Sequence, residues 1–477
     1  MSRSEPFLVV KFGGTSVGSA GAIRQAIDLV KVTLIEWPQQ VVVVSAMSGV
    51  TNQLLASALE AATNQGTSYL ETAQQLLNRH LDIVSRLVTD PDLQLSVTHD
   101  VSALIDEFSS LCKAIAILGE ASPRALDTVG SIGERLCVRI VAAALQSIGV
   151  RAQYVEASEL IVTDDNFQDA HPDLEATREK ARKRLDPMLS AGQVPVVTGF
   201  MAATPTGITT TLGRGGSDYS AALLGTALQA DEVWIWTDVD GVMTADPRLV
   251  PNAETIPRLS YLEVAELAYF GAKVLHPKTI RPVIEAGIGL RICNTFSPEN
   301  PGTRVISGLN RPVAGRIKAV TAIRNQKLIT IEGRGMIGVP GVAARAFGAV
   351  AATGTSVILI TQASSEQSIC FSVPADSVPR VIAQLQEVFA TELTSRDIDS
   401  IWAAEDTVIV TVVGAGLRHT PGIAGKIFTA LGDARINVIA IAQGSSEVAI
   451  SMVVTDDQAE KAVQALHSLI VNREGVR

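Results

Sequence analysis

Along the first two thirds of the chain, short apolar runs rich in β-branched residues alternate with stretches of helical periodicity. Phe7–Val10, Val41–Val44, Val194–Val197 and Val233–Trp236 lack polar alternation, so each reads as a strand buried on both faces of a parallel sheet. Strands that alternate with helices predict a layered α/β domain. Leu70–Leu118 keeps apolar residues at helical spacing and reads as a helical insertion in that domain. From Ser297 to Arg311 the composition shifts to Ser, Pro, Glu, Asn and Gly, which predicts a boundary between residues 1–310 and 311–477.

The rear part contains a duplication. PGVAARAFGAVAATGTSVILITQASSEQSICFSV, starting at Pro340, aligns without a gap on PGIAGKIFTALGDARINVIAIAQGSSEVAISMVV, starting at Pro421. Each copy reads strand, Gly-rich turn, helix, strand, turn, strand, with Pro in the first helical turn. The units fall near 327–395 and 408–470 and suit small α+β sandwiches; the sequence leaves open whether one is inserted in the other. Gly333–Gly338 spells G-x-G-x-x-G, but no acid follows at the ribose-binding distance and the second copy has His419 at the third Gly place. These glycines read instead as a tight strand-to-helix connection that approaches a small ligand or a partner closely.

Composition narrows the class. A chain of 477 residues with 47% hydrophobic and 18% charged residues is folded and holds two or three domains. A formal net charge of −10 disfavours non-specific binding to nucleic acid or anionic membranes. An anionic substrate therefore needs local Lys, Arg, backbone N–H groups or Mg²⁺. Cys112, Cys137, Cys293 and Cys370 show no C-x-x-C spacing and read as reduced thiols of a cytoplasmic protein; the His residues do not cluster, so no metal site is expected. The N-terminus lacks the apolar segment of a signal peptide. Ala346–Ser365 is uncharged, but Gly348, Thr353, Gly354, Thr355 and Ser356 make it a helix end, a turn and a strand rather than a membrane span.

Chemistry concentrates where predicted strands end. Lys11-Phe-Gly13-Gly14-Thr-Ser16 follows FLVV: paired glycines let backbone N–H groups face phosphate oxygens, and the Lys supplies a charge that follows a transferring phosphoryl group. A plain Gly turn is the bland alternative. Ser45–Thr51 places hydroxyls and a Gly after the next strand, where ligands of open α/β sheets gather. Glu134 starts a helix and either meets a substrate ammonium or merely complements the helix dipole. In Thr211–Asp218, three glycines surround Arg214, whose planar fork suits a carboxylate; Asp218 alone could be an N-cap, but a cap explains neither the glycines nor the Arg. Trp236–Arg248 is acid-rich and turn-rich, suited to nucleotide and Mg²⁺ and lacking EF-hand spacing. Lys273, in GAKVLHP, is placed to reach a phosphate or to be merely solvated.

Together KFGGTSVG, VVSAMSGVTN, GERL, TLGRGGSDYSA, WTDVDGVMTADPR and GAKVLHP resemble the aspartate kinases of the amino-acid kinase superfamily, in family order over about residues 7–305. The repeats resemble tandem ACT domains, and VILITQASSEQSI and VIAIAQGSSEVAI are most similar to the regulatory part of the aspartate kinase–homoserine dehydrogenase class. The resemblance implies a three-layer αβα kinase domain with a mainly parallel sheet, followed by two βαββαβ ACT domains. It implies transfer of the γ-phosphoryl group of ATP, with Mg²⁺, to L-aspartate. It further implies that Lys11 contacts the transferring group and the substrate carboxylate, and that Asp218 organises Lys11. Arg214, Ser45, Thr51 and Ser217 would hold aspartate and Glu134 its ammonium; Gly13, Gly14, Thr237, Asp238, Arg248 and Lys273 would contact ATP. A homodimer or higher oligomer is implied, with an amino-acid effector near Gln362 and Gln443, threonine first and lysine second. Two departures stand out. Met243 replaces the Tyr of many relatives, and no dehydrogenase follows Arg477, which reads as a monofunctional form or a truncated piece. A glutamate or acetylglutamate kinase and a non-catalytic amino-acid sensor are the rival readings.

Overall fold

The computed structural model describes residues 5–64, 67–271, 275, 277–306, 315–336, 339–362, 367–443 and 448–471. The chain divides into two compact units: Met1–Val242 with Thr255–Tyr261 and Val274–Gly308, and Met243–Glu254 with Leu262–Lys273 and Leu309–Arg477.

The first unit is built on β1 (Phe7–Phe12), β2 (Gln39–Val44), β3 (Ala152–Val155), β4 (Val194–Thr198), β5 (Glu232–Thr237) and β6 (Gly289–Asn294). Thr303–Ile306 and Arg258–Ser260 extend the sheet beyond β6, and the order from there is β6, β5, β1, β2, β4, β3. All pairs are parallel except β6 with 303–306. The apolar runs read as strands all lie within these elements, and their burial on both faces explains the missing polar alternation.

Alternation along β1 decides what each side chain meets. Leu8, Val10 and Phe12 join one large core with helices α1 (Ala20–Thr33), α2 (Val50–Asn64), α3 (Ser68–Leu87), α4 (Pro91–Leu118) and α5 (Pro123–Ser147). Val9 points the other way, toward Gly225 of α6 (Gly216–Leu228), where a Cβ would lie 2.6 Å from Val233. Helices Leu174–Ser190 and Pro277–Glu285 pack beside α6, completing the three layers. The predicted helical insertion is α3 and α4. Asp90 caps α4 by accepting from Leu93 N–H at 2.9 Å, and Pro91 opens the helix.

In the second unit an antiparallel sheet holds β7 (Ala319–Glu332), β8 (Leu359–Gln362), β9 (Ser368–Pro374), β10 (Ser400–Ala403), β11 (Thr407–Val413), β12 (Ala440–Ala442) and β13 (Ala449–Thr455). Helices α8 (Val342–Ala352), α9 (Val378–Val388), α10 (Ile423–Asp433) and α11 (Ala459–Val471) cover it, after α7 (Tyr261–Tyr269) upstream. One strand serves both repeats. Gln326–Glu332 of β7 pairs with β9 and its end with β10, whereas Ala319–Ile323 pairs with β11; the register shifts between, where Asn325 has φ 60°. Hence Gln326–Ala403 is a complete βαββαβ module, and the other module, β11 to α11, takes its last strand from 319–323. The first repeat is inserted in the second.

Gly333 and Gly335 of the G-x-G-x-x-G run behave as a tight connection, but they approach the chain itself; Gly338 lies outside the described residues. A Cβ on Gly333 or Gly335 would strike Asp397, and one on Gly414, the equivalent in the second module, would strike Arg316. Among the described residues no helix is long and apolar enough to cross a membrane. All four cysteines are free, with Cys370 less deeply placed than the other three.

Candidate active site

The strand period that turns Val9 toward α6 also turns Lys11 that way. Lys11 is 8% exposed, and its ammonium lies 2.5 Å from Asp218 Oδ1 in the first turn of α6. Gly213 and Gly215, at φ 74° and 73°, bend the chain into α6 through the left-handed region that glycine tolerates. Arg214, between them, is exposed and makes no ion pair among the described residues.

The loop after β2 is drawn onto the loop after β1. Ser45 N–H donates to Phe12 C=O at 3.1 Å and Ser48 N–H to Gly14 C=O at 3.0 Å. A Cβ at Gly14 would sit 3.0 Å from Ala46 O, so this close approach favours glycine. Helix α5 comes as close from the other side: a Cβ at Gly133 would be 2.8 Å from that of Ala46. The next residue, Glu134, does not start a helix but sits in the middle of α5; it is 3% exposed, its Oε1 accepts from Ala46 N–H at 3.1 Å and its Oε2 has no partner among the described residues. Burial pushes its carboxyl up to about 8, and the Ala46 hydrogen bond only partly opposes this.

Lys11, Gly14, Ser45, Thr51, Glu134, Arg214, Ser217 and Asp218 line one cavity of about 380 Å³, with Met47, Asn52 and Phe200. Sequence reasoning did not single out Asn52 and Phe200. Phe200 has φ 64° in the turn after β4, unusual for an aromatic residue, and its ring lies where a Cβ on Gly216 would meet it at 2.8 Å. Nothing in GFMA signals this. Asp127 was also missed: buried on α5, it accepts from Gln168 N–H at 3.0 Å, Thr211 N–H at 3.0 Å and Thr211 Oγ1 at 2.7 Å, and so fixes the strand leading into the Arg214 loop.

The remaining predicted residues lie elsewhere. Gly13 N–H donates to Trp236 C=O at 3.1 Å, so this amide ties β1 to β5 rather than facing a phosphate. Thr237 and Asp238 follow Trp236 outside the cavity, with Thr237 Oγ1 donating to Asp238 Oδ1 at 3.2 Å. The loop after β6 joins them: Thr295 N–H donates to Thr237 C=O at 2.9 Å, and Asn294 Nδ2 to Asp240 Oδ1 at 2.6 Å. Arg248 belongs to the second unit and holds Asp246 at 2.6 Å on the surface. Lys273 lies outside the described residues. Gln362 ends β8 and Gln443 follows β12; both are exposed, and the Ser-Ser-Glu turns after them lie outside the described residues.

Comparison with known proteins places both parts of the chain in known families. Residues 6–294 match the amino acid kinase family, and 329–389 and 410–469 match the ACT domain. The bifunctional aspartokinase/homoserine dehydrogenase of Haemophilus influenzae is 37% identical over 98% of this chain and 57% of its own length. The chain spans about half the length of the curated relatives of this kind. Escherichia coli aspartokinase III in complex with aspartate and ADP (R-state) superposes with TM-score 0.81 at 32% identity, over 98% of this chain and 100% of that one. The same enzyme in complex with lysine and aspartate (T-state) superposes with TM-score 0.77 at 32% identity, over 97% of this chain and 99% of that one. The family matches on both parts and the superposition over the full chain make this protein a member of the amino acid kinase family, in its aspartokinase branch with C-terminal ACT domains.

Proposed function

We propose that this chain catalyses ATP + L-aspartate → ADP + 4-phospho-L-aspartate, the first step toward lysine, threonine and methionine, in the cytoplasm. The observation that carries the reading is the buried Glu134 Oε2, without a partner among the described residues, in a cavity that Arg214 also lines. An acceptor for an ammonium and a fork for a carboxylate in one cavity match a free amino acid. A side-chain carboxylate is already ionised at neutral pH, so no general base is needed. It attacks the γ-phosphorus and ADP leaves. The difficulty is repulsion between anions, which the Lys11 ammonium offsets while Asp218 holds it in place. Ser45, Thr51 and Ser217 offer hydroxyls to the substrate, and Thr237, Asp238, Arg248 and Lys273 are proposed for ATP. Among the described residues no group of three His, Cys, Asp or Glu could hold a metal alone. Mg²⁺ fits if the phosphates supply most of its ligands and Asp238 or Asp240 the rest, and it would add charge neutralisation.

We assign catalysis to residues 1–310 and regulation to 311–477, in a homodimer or higher oligomer. Threonine is proposed as the effector, with lysine second, near Gln362 and Gln443. The decisive assay traps acyl phosphate with hydroxylamine for aspartate, glutamate, N-acetylglutamate and N-acetylaspartate. Turnover of aspartate alone is expected. Equal turnover of an N-acetylated substrate would remove Glu134 as the ammonium acceptor, and no turnover of aspartate would remove the assignment.

A further inference from the structure

Arg79 lies on α3, in the helical insertion and outside the cavity lining. Its guanidinium reaches two backbone carbonyls on two loops: Nη1 and Nη2 donate to Ser48 C=O at 3.1 and 3.2 Å, and Nη2 donates to Gly18 C=O at 3.0 Å. Ser48 belongs to the loop that carries Ser45 and leads to Thr51. Gly18 closes the turn that starts at Gly13, two residues after Lys11. The Ser48–Gly14 backbone hydrogen bond is a further link between the same two loops.

We propose that Arg79 is a positioning residue for phosphoryl transfer, setting the distance between the loop that bears Ser45 and leads to Thr51 and the turn that follows the strand of Lys11. This rests on reading the cavity as the aspartate site. Several points favour placement over mere structure. A planar fork bridges two acceptors from one side chain, which a point charge does less well. The base of Arg79 is fixed, because its neighbours Leu76, His80 and Ile83 are buried in the helical layer. Both loops, by contrast, are anchored at the sheet but exposed at the tip, one at Thr15 and the other at Ser48 and Gly49. Reacting groups misplaced by about 1 Å lose on the order of 10²-fold in rate.

The test uses the full chain with Arg79→Ala and Arg79→Lys. For Arg79→Ala, kcat should fall about 10–100-fold, with a smaller change in the KM for ATP and a melting temperature close to wild type. Millimolar guanidinium should restore part of kcat in this variant and none in wild type, and Arg79→Lys should fall between. Hydrogen exchange at peptides covering 13–18 and 45–51 should quicken in Arg79→Ala. Wild-type kcat and exchange in Arg79→Ala, or a loss that tracks melting temperature and ignores guanidinium, would overturn the proposal. A wild type that does not phosphorylate aspartate would instead overturn the functional reading on which it rests.

Discussion

At the scale of single residues, Glu134 gives the sharpest expectation. Its carboxyl, ordinarily near 4.5, is pushed up to about 8 by burial. Between those values the folded protein without substrate keeps a proton that the unfolded chain has lost. Its stability therefore falls as pH rises, by up to ~1.4 kcal/mol per pH unit from this group, and levels off above the folded value. Glu134→Gln has no such slope, so its melting temperature should gain on wild type from pH 5 to pH 8, while its KM for aspartate rises at least tenfold; parallel melting curves would refute the assignment. Lys11 and Arg214 should separate kinetically. Lys11→Ala should lose about 3 kcal/mol of transition-state stabilisation, read as kcat, and Arg214→Ala should raise the KM for aspartate while an ATP analogue still binds in equilibrium titration. Comparable kcat losses in both variants would contradict the division of roles. Lys11 and Arg214 were legible because a charged residue among glycines at a strand end is rarely structural; Glu134 was found by its motif, although its place in the middle of α5 was not. Asp127 and Arg79 were not legible, because their partners are groups far away in the chain, which no local motif announces.

At the scale of elements, the duplication was legible from its gapless alignment, but the half-strand 319–323 was not: AVTAI runs almost directly into the next strand and reads as part of it. The role of α7 was also hidden. Its sequence lies among kinase motifs, yet Glu263 pairs with Lys318 at 2.8 Å, Thr321 Oγ1 donates to Phe270 C=O at 2.7 Å, and Phe270 packs on Leu359, Ile409 and Val453. Leu359 starts β8, which ends in Gln362, and Phe270 stands three residues before Lys273. An effector near Gln362 would thus press on the residue that leads to a proposed nucleotide contact. Phe270→Ala should keep kcat within about threefold and weaken inhibition by the effector about tenfold, matching a coupling of 1–3 kcal/mol; an unchanged inhibition curve would exclude this route.

At the scale of the molecule, the kinase sequence and the ACT core interpenetrate. Ala245 and Val250 are buried with Val320, Val410, Leu417, Ile427 and Leu466, and Thr244 Oγ1 meets His467 Nε2 at 2.9 Å. A fragment ending at residue 310 would strip the cover from Ala245, Val250 and Phe270. It should melt lower than the full chain and self-associate in size-exclusion chromatography; a monomeric fragment of equal stability would show that these contacts contribute little. The strand shared by the two modules has a consequence for synthesis. A ribosome releases 319–323 long before 407–413, its partner, exists. The inner module can close as soon as β10 emerges, and it then holds the waiting half-strand in an extended form beside the place where β11 will arrive. The outer module completes itself by adding to a template already set, so a lesion in the inner module would be inherited by the outer one as it is made.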